Sequence, residues 1–182
     1  MKVGIVIGSI REGRKGSSVG EWVHSHAGRR DDASFEVLDL KAFDVPLLTS
    51  NVEPGGGKRV YESPQVREWS AAVDACDAFV FVTPEYNHGV PGAFKNAYDS
   101  LGPEWVGKPV AFVSYGGAGG VRAVEHWRTV VANFQQFGVR AQVALSTNTE
   151  WTDGELRPHD RHVAELDALL DMLIAATTKL RG

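Results

Sequence analysis

The sequence is poor in cysteine, in basic charge and in long apolar runs. Its single cysteine, Cys76, excludes an internal disulfide and any zinc site built from several thiolates. The net charge of −4 at pH 7 argues against a general nucleic-acid binder. No apolar run is long enough to span a bilayer, and the chain begins in a strand-like segment without the features of a secretory signal. We therefore expect a cytoplasmic protein that binds neither nucleic acid nor membranes.

Strand-like and helix-like segments alternate along the 182 residues, a length that suits one domain over positions 1–182. Short, nearly continuous apolar runs are typical of parallel strands that are buried on both faces. These runs are Lys2–Ile7, Phe35–Leu40, Ala78–Thr83, Val110–Ser114 and Ala141–Leu145. They predict an α/β fold with a doubly wound parallel sheet of strand order 2-1-3-4-5 and helices on both faces. In this topology a ligand binds at the carboxyl ends of strands one and three.

Two further features concern the segments between the strands. Cys76 is in phase with the apolar face of a predicted helix, so we expect a small buried side chain and no nucleophile. One connection, from Lys41 to Ser63, contains Pro54-Gly55-Gly56-Gly57 and is longer than most loops in compact domains. A lid, a dimer arm and a passive disordered loop are all compatible with it.

The turn after the first strand, Gly8 to Ser18, has the composition of a phosphate-binding loop. The N-terminus of the following helix presents unpaired N–H groups and a partial positive charge, which attract an anion. Ser9 and Ser17 can add hydroxyl donors, and Arg11 can make a charge-assisted hydrogen bond.

Three other residues of this turn have more than one interpretation. Ser18 can contact the ligand, but with Glu21 it also forms a capping-box pattern that would tie its hydroxyl to its own helix. Arg14 and Lys15 are either solvated surface charges or contacts for the phosphates of a second nucleotide.

Other phosphate-binding families need residues that are missing here. Gly8-x-x-x-x-Gly13 begins like a P-loop, but Arg14-Lys15 stands where Lys-Ser/Thr is required, which disfavours nucleotide hydrolysis. The dinucleotide fingerprint G-x-G-x-x-G is absent, and we interpret Asp39 as a turn residue instead of a ribose ligand. Thr83 occupies the position at the end of strand three where a phosphorylated receiver domain needs an aspartate.

The segment from Thr83 to Asn96 is the most informative in the chain. It follows the third strand, and its two prolines, two glycines and Tyr86-Asn87 pair predict a rigid loop with fixed backbone groups. Such a loop can lie against a flat aromatic ring and hydrogen-bond its edge through main-chain atoms. Together with the phosphate turn on the neighbouring strand, it predicts a site for a mononucleotide cofactor.

Three motifs carry a resemblance to a known family. They are Gly8-Ser9-x-Arg11 with Gly16-Ser17-Ser18, Thr83-Pro84-Glu85-Tyr86-Asn87 with Pro91-Gly92-x-x-Lys95-Asn96, and Ser114-Tyr115-Gly116-Gly117. With them the chain resembles, from Met1 to about Leu145, the NADPH-dependent FMN reductase family of flavodoxin-like proteins. That family includes quinone, azo-dye and chromate reductases.

The resemblance implies FMN as cofactor and NADPH or NADH as electron donor. It implies an oxidoreductase that passes two electrons through the flavin to a small acceptor such as a quinone, an azo compound, a metal oxyanion or free flavin. Because flavin carries the chemistry, no catalytic acid–base pair is expected. The resemblance also implies a homodimer or homotetramer.

The family's site residues correspond to three groups in this chain. The implied FMN phosphate ligands are Ser9, Arg11 and Ser17 with the helix N-terminus, and Ser18 keeps its two interpretations. Pro84, Glu85, Tyr86 and Asn87 would line the isoalloxazine, mainly through backbone atoms. Ser114, Gly116 and Gly117 would close the other side of the ring.

Two alternative functions stay open: a non-enzymatic flavodoxin-type electron carrier or flavin-binding module, and a flavin-free scaffold. Carriers of the flavodoxin type are usually far more acidic than this chain. His159 and His162 have a spacing that could chelate a metal, but no third ligand is evident, so no metal site is expected. Trp105 is a candidate for covering the flavin or a neighbouring subunit.

Overall fold

A five-stranded parallel sheet of order β2-β1-β3-β4-β5 forms the centre of the computed structural model, which describes residues 1–54 and 57–181. The predicted strand order is therefore confirmed. The strands are β1 (Lys2–Ile7), β2 (Ser34–Asp39), β3 (Ala78–Pro84), β4 (Val110–Gly116) and β5 (Gly138–Ser146). The helices are α1 (Gly16–Ala27), α2 (Leu40–Phe43), α3 (Pro64–Asp74), α4 (Gly92–Asp99), α5 (Val121–Val131) and α6 (Asp160–Arg181). A two-stranded antiparallel hairpin, β6 (Trp151–Thr152) with β7 (Glu155–Leu156), joins β5 to α6.

Helices cover both faces of the sheet because its central strands are apolar throughout; every residue of β3 is buried. On one face α1 and α6 bury their apolar stripes, including Val23 and Leu170. On the other face α3, α4 and α5 enclose an aromatic cluster around Phe81. The Phe81 ring centroid lies 4.9 Å from that of Phe94 in α4 and 5.3 Å from that of Trp127 in α5. This packing fixes α4, the helix that follows the ring-binding loop.

Capping residues set two helix boundaries. Ser63 accepts a hydrogen bond from the Val66 N–H and Pro64 occupies the first turn, which together start α3. Asp39 accepts from the Lys41 N–H and starts α2. The second strand therefore ends one residue before the predicted Leu40, which is helical.

Three other expectations and one unpredicted element need comment. α3 ends at Asp74, so Cys76 lies outside the helix, although its thiol is buried as predicted. Trp105 is fully buried, stacks on Tyr98 and donates its indole N–H to the Tyr98 carbonyl, so it covers neither a ligand nor a partner. The sequence did not predict the β6–β7 hairpin. In the long connection, residues 55–56 lie outside the described part of the chain.

The topology brings the two predicted loops to one edge of the sheet. β1 and β3 are neighbours, with Ile7 opposite Val82. The Gly8 N–H continues this pairing by donating to the Val82 carbonyl at 2.9 Å. None of the described helices combines the length and apolarity needed to cross a bilayer.

Candidate functional site

Arg14 organises the turn between β1 and α1. Its guanidinium donates to both carboxylate oxygens of Asp39 and to the Ser9 carbonyl, and its Nε donates to the Ser17 hydroxyl at 3.0 Å. Its side chain is only 11% exposed. The interpretation of Arg14 as a solvated surface charge is therefore wrong, while its contact with a second nucleotide stays a prediction, since Arg14 lines the cleft described below. Asp39 is more than a turn residue, because it holds this arginine as well as capping α2.

The N-terminus of α1 lies at the centre of this turn. The helix begins at Gly16, and no side chain within the described structure caps it. Ser18 lies inside the first turn and donates its hydroxyl to the Lys15 carbonyl, so the capping-box interpretation with Glu21 is wrong. An uncapped helix N-terminus leaves N–H groups that an anion can accept from.

The loop after β3 forms a tight turn from Tyr86 to Gly89. These two residues exchange backbone hydrogen bonds of 3.1 and 3.0 Å. Asn87 and His88 at its tip are exposed and both have positive φ, 49° and 66°, as a type I′ turn requires. The loop is thus rigid through its backbone, and Pro84 is buried at its base.

Glu85 connects this loop to α5. Its carboxylate pairs with the Arg122 guanidinium at 2.7 Å and accepts from the Arg122 N–H at 3.1 Å. The Glu85 side chain is 8% exposed, and its N–H donates to the Tyr115 carbonyl. Its side chain therefore anchors the loop, which leaves backbone atoms to face a ligand.

A glycine-rich loop after β4 forms the opposite wall. The buried Ser114 hydroxyl donates to the Gly119 carbonyl at 2.7 Å, so its side chain shapes this loop from behind. Gly120 has a φ of 75° and lies so close to Tyr115 that an added Cβ would be 2.9 Å from that residue's backbone. Only glycine therefore fits where the loop enters α5.

These three loops surround an open cleft of about 410 Å³, a volume within the range of small-molecule sites. Seven of the eleven predicted site residues line it, namely Ser9, Arg11, Pro84, Glu85, Tyr86, Gly116 and Gly117. The other four lie beside it, in the first turn of α1 (Ser17 and Ser18), at the tip of the tight turn (Asn87) and behind the glycine loop (Ser114).

A hydrogen bond of 2.7 Å between the hydroxyls of Ser9 and Tyr86 links two walls of the cleft. Two basic side chains line the cleft. Arg11 lies over the Tyr86 ring, 5.7 Å from its centroid, and Lys15 lies over the Trp151 ring at 4.5 Å. With the guanidinium of Arg14 neutralised by Asp39, Arg11 and Lys15 remain as cleft-lining cations for an anionic ligand.

Tyr115 is a site residue whose role sequence reasoning missed, although it stands within the third motif. Its hydroxyl is buried at the cleft and has no hydrogen-bond partner among the described residues. Burial raises the pKa of Tyr115 above its ordinary value, so the phenol is protonated at neutral pH. A buried O–H without an acceptor is costly, and an anion in the cleft could supply that acceptor.

Gly16 permits this arrangement. A Cβ at Gly16 would lie 2.6 Å from the Tyr115 hydroxyl oxygen, closer than atoms can approach. The start of α1 can therefore lie against Tyr115 only with glycine at this position. Thr147, which follows β5, completes the cleft and was also not predicted.

Sequence comparison places the chain among known proteins. A model of the family described as NADPH-dependent FMN reductase matches residues 1–150. The chain is 40% identical over 126 residues to an NAD(P)H-dependent FMN reductase of Nectria sp., a match that covers 67% of this chain and 63% of that relative's length. It is 39% identical over 159 residues to the Saccharomyces cerevisiae protein named NAD(P)H-dependent FMN reductase LOT6, covering 81% of this chain and 83% of the relative.

A solved structure agrees in fold. FerB from Paracoccus denitrificans, titled a flavoenzyme NAD(P)H:(acceptor) oxidoreductase, superposes with a TM-score of 0.77 over 98% of this chain and 97% of its own. At 19% identity this likeness supports the flavodoxin-like fold alone.

Proposed function

Because the chain belongs to the NADPH-dependent FMN reductase family, we propose that it is an FMN-dependent NAD(P)H oxidoreductase. It passes two electrons from NADPH or NADH through FMN to a small acceptor. The observation that carries this proposal is the cleft in which an uncapped helix N-terminus faces a backbone-rigid turn.

The residues present suit FMN. The buried Tyr115 hydroxyl has no acceptor among the described residues, and the N-terminus of α1 attracts an anion; a phosphate would satisfy both. Arg11 and Lys15 add positive charge to the lining of the cleft. The phosphate would be held by Ser9, Arg11, Ser17 and, in the first turn of α1, Ser18.

The ring of the flavin would lie between the two remaining walls. Pro84, Glu85, Tyr86 and Asn87 would line one side, chiefly with backbone atoms, because the Glu85 carboxylate is bound to Arg122. Gly116 and Gly117 would line the other side, held in place by Ser114.

When bound, FMN supplies the two-electron chemistry. The chain supplies orientation through the rigid Tyr86–Gly89 turn and excludes water with the walls of the cleft. Backbone N–H groups near Gly116 and Gly117 would stabilise negative charge that develops on the ring, as preorganised donors do in an oxyanion hole. No catalytic acid–base residue is needed for this role.

The acceptor is a small molecule such as a quinone, an azo compound, a metal oxyanion or free flavin. A relative named quinone reductase favours a quinone. The proposal also includes a cytoplasmic location. It further includes the absence of nucleic-acid and membrane partners. The net charge of −4 supports the absence of a nucleic-acid partner.

A homodimer or homotetramer is part of the same proposal. The connection between α2 and α3 carries exposed apolar side chains, Leu47 at 77% and Val60 at 58% exposure. Exposed apolar groups on one segment favour an interface with a second copy. Sedimentation at micromolar concentration should give a dimer or larger, and a monomer would contradict this part.

The function is tested by titrating the purified protein with FMN and then adding NADPH with and without benzoquinone. We expect quenching of FMN fluorescence at one site per chain and NADPH oxidation that requires both FMN and the quinone. Arg11→Ala should weaken FMN binding, whereas Arg59→Ala, in an exposed ion pair with Asp74, should not. Bound FMN that NADPH cannot reduce would indicate an electron carrier, and no FMN binding would refute the proposal.

A further inference from the structure

Three potential metal ligands meet at the start of α6. A carboxylate oxygen of Glu150 lies 3.0 Å from Nδ1 of His159 and 3.2 Å from Nε2 of His162. The three donor atoms all lie within 4.8 Å of one another. The sequence revealed the two histidines but not the third group, because Glu150 precedes the β6–β7 hairpin and the hairpin returns the chain to it.

These distances are close to those of a zinc site. Zinc bonds of 2.0–2.2 Å to nitrogen and oxygen place tetrahedral ligand atoms roughly 3.3–3.5 Å apart. Two of the three separations, 3.0 and 3.2 Å, differ from this by a few tenths of an ångström, and the two histidine nitrogens lie within 4.8 Å of each other. Side-chain rotations that bring the two nitrogens to the zinc spacing would admit an ion. Two imidazoles and one carboxylate are a donor set that suits zinc and leaves a fourth position for water.

The second nitrogen of His162 gives independent support. His162 is 2% exposed, and its Nδ1 lies 2.7 Å from a carboxylate oxygen of Glu165. Metal-binding histidines usually donate their other ring N–H to a carboxylate in this way. If Nδ1 donates to Glu165, a neutral His162 presents the lone pair of Nε2 to the Glu150 carboxylate. Two acceptors 3.2 Å apart need a proton or a metal ion between them.

The Glu150 carboxylate is fully buried and faces the two imidazoles. It also accepts hydrogen bonds from the His159 N–H and the Thr149 hydroxyl, both at 3.1 Å. The competing cation is Arg161, a 67% exposed side chain whose guanidinium lies 3.7 Å from the Glu150 carboxylate and whose Nε donates to Nε2 of His162 at 3.4 Å. A metal ion would have to displace this arginine.

We propose that Glu150, His159 and His162 form a binding site for a divalent cation of the zinc class, with Glu165 positioning His162. The ion would join the segment before the hairpin to the first turn of α6. Its expected effect is structural, because this cluster does not line the cleft. The proposal does not depend on the proposed oxidoreductase activity.

The test is calorimetric titration of the EDTA-treated 182-residue protein with zinc chloride at pH 7.5. We expect one ion per chain and a higher Tm with zinc than with EDTA. Cobalt(II) bound at the site should show the visible absorption of tetrahedral nitrogen and oxygen coordination.

Variants distinguish this site from surface binding. His159→Gln changes a 58% exposed side chain, so the fold should persist while zinc affinity falls at least about tenfold. Glu165→Gln should weaken binding by about tenfold through the orientation of His162. The matched control is His24→Gln, an exposed histidine on α1, which should bind like the wild type. The proposal would be overturned if the wild type bound no zinc at a 100-fold molar excess of zinc chloride. Equal zinc affinity of His159→Gln and the wild type would also overturn it.

Discussion

The guanidinium of Arg14 forms a bidentate ion pair with the carboxylate of Asp39. Of its two hydrogen bonds, the one from Nη1 to Oδ1 is 2.7 Å long. The pair ties the turn after β1 to the end of β2. The same guanidinium also donates to the Ser9 carbonyl, so the turn has its shape before any ligand arrives. Preformed loops bind with a smaller loss of conformational entropy.

Replacing Arg14 by alanine should therefore affect both stability and ligand binding. We expect a loss of about 1–3 kcal/mol in the free energy of unfolding, because Asp39 loses its charged partner. FMN affinity should fall about tenfold, roughly 1.4 kcal/mol, because the turn is no longer fixed. Urea unfolding and FMN fluorescence titration measure the two effects. The matched control is Arg59→Ala, which removes an exposed ion pair with Asp74. Unchanged FMN affinity in Arg14→Ala would contradict the organising role.

Tyr115→Phe should weaken the FMN complex without destabilising the apo protein. The buried hydroxyl has no partner in the described structure, so its removal should leave the free energy of unfolding unchanged or raise it by up to about 1 kcal/mol. FMN binding should weaken, because the phosphate loses a donor. Thermal melts with and without FMN show both effects. A destabilised apo protein would mean that the hydroxyl already has an acceptor.

Gly16→Ala should disturb the start of α1, because the new Cβ would lie 2.6 Å from the Tyr115 hydroxyl. Overpacking of this kind typically costs about 1–3 kcal/mol. In the double variant Gly16→Ala/Tyr115→Phe the clash is removed, so stability should return toward that of Tyr115→Phe. A double-mutant cycle by urea unfolding measures the coupling. Additive effects would show that the two residues do not compete for the same space.

Cys76 should be unreactive in the folded protein. Burial raises the pKa of its thiol to about 11, so very little thiolate is present at pH 8. Modification by a disulfide reagent at pH 8 should be slow until urea unfolds the chain.

The same pKa shift has a consequence for stability. A folded-state pKa above the unfolded one contributes stability below pH 9, which is lost as pH rises toward 11. The difference in free energy of unfolding between the wild type and Cys76→Ala should therefore shrink over that range. A difference independent of pH would indicate that the thiol is not shifted.

Local sequence patterns were enough to predict the sheet, because β1, β3 and β4 are continuous apolar runs. The ends of other elements depend on capping side chains, which the hydrophobic pattern does not reveal. The apolar run predicts Leu40 as the last residue of a strand. The Asp39 side chain caps α2 instead, and Leu40 is the first residue of that helix. The β6–β7 hairpin has strands of two residues each, too short to show a period of two.

The parts of the site that lie in one contiguous motif were predicted. The parts that strand pairing assembles from residues distant in sequence were missed. Glycine, proline and serine near Ser9 and Tyr86 reveal their loops directly. Arg14 and Asp39 are 25 residues apart, and only the β1–β2 pairing, with Ile7 opposite Asp39, brings them together. Trp105 was misassigned because its neighbours Gly102 and Pro103 suggest a surface loop, whereas the aromatic cluster buries it.

Lys15 stacks on Trp151, whose ring lies 6.2 Å from that of Tyr115. Trp69, Trp105 and Trp127 are fully buried, so an anion bound in the cleft would change their surroundings little. A phosphate that draws the ammonium group away from Trp151 would change the polarity around that indole. A change in Trp151 emission on adding inorganic phosphate would therefore report an anion bound near Lys15.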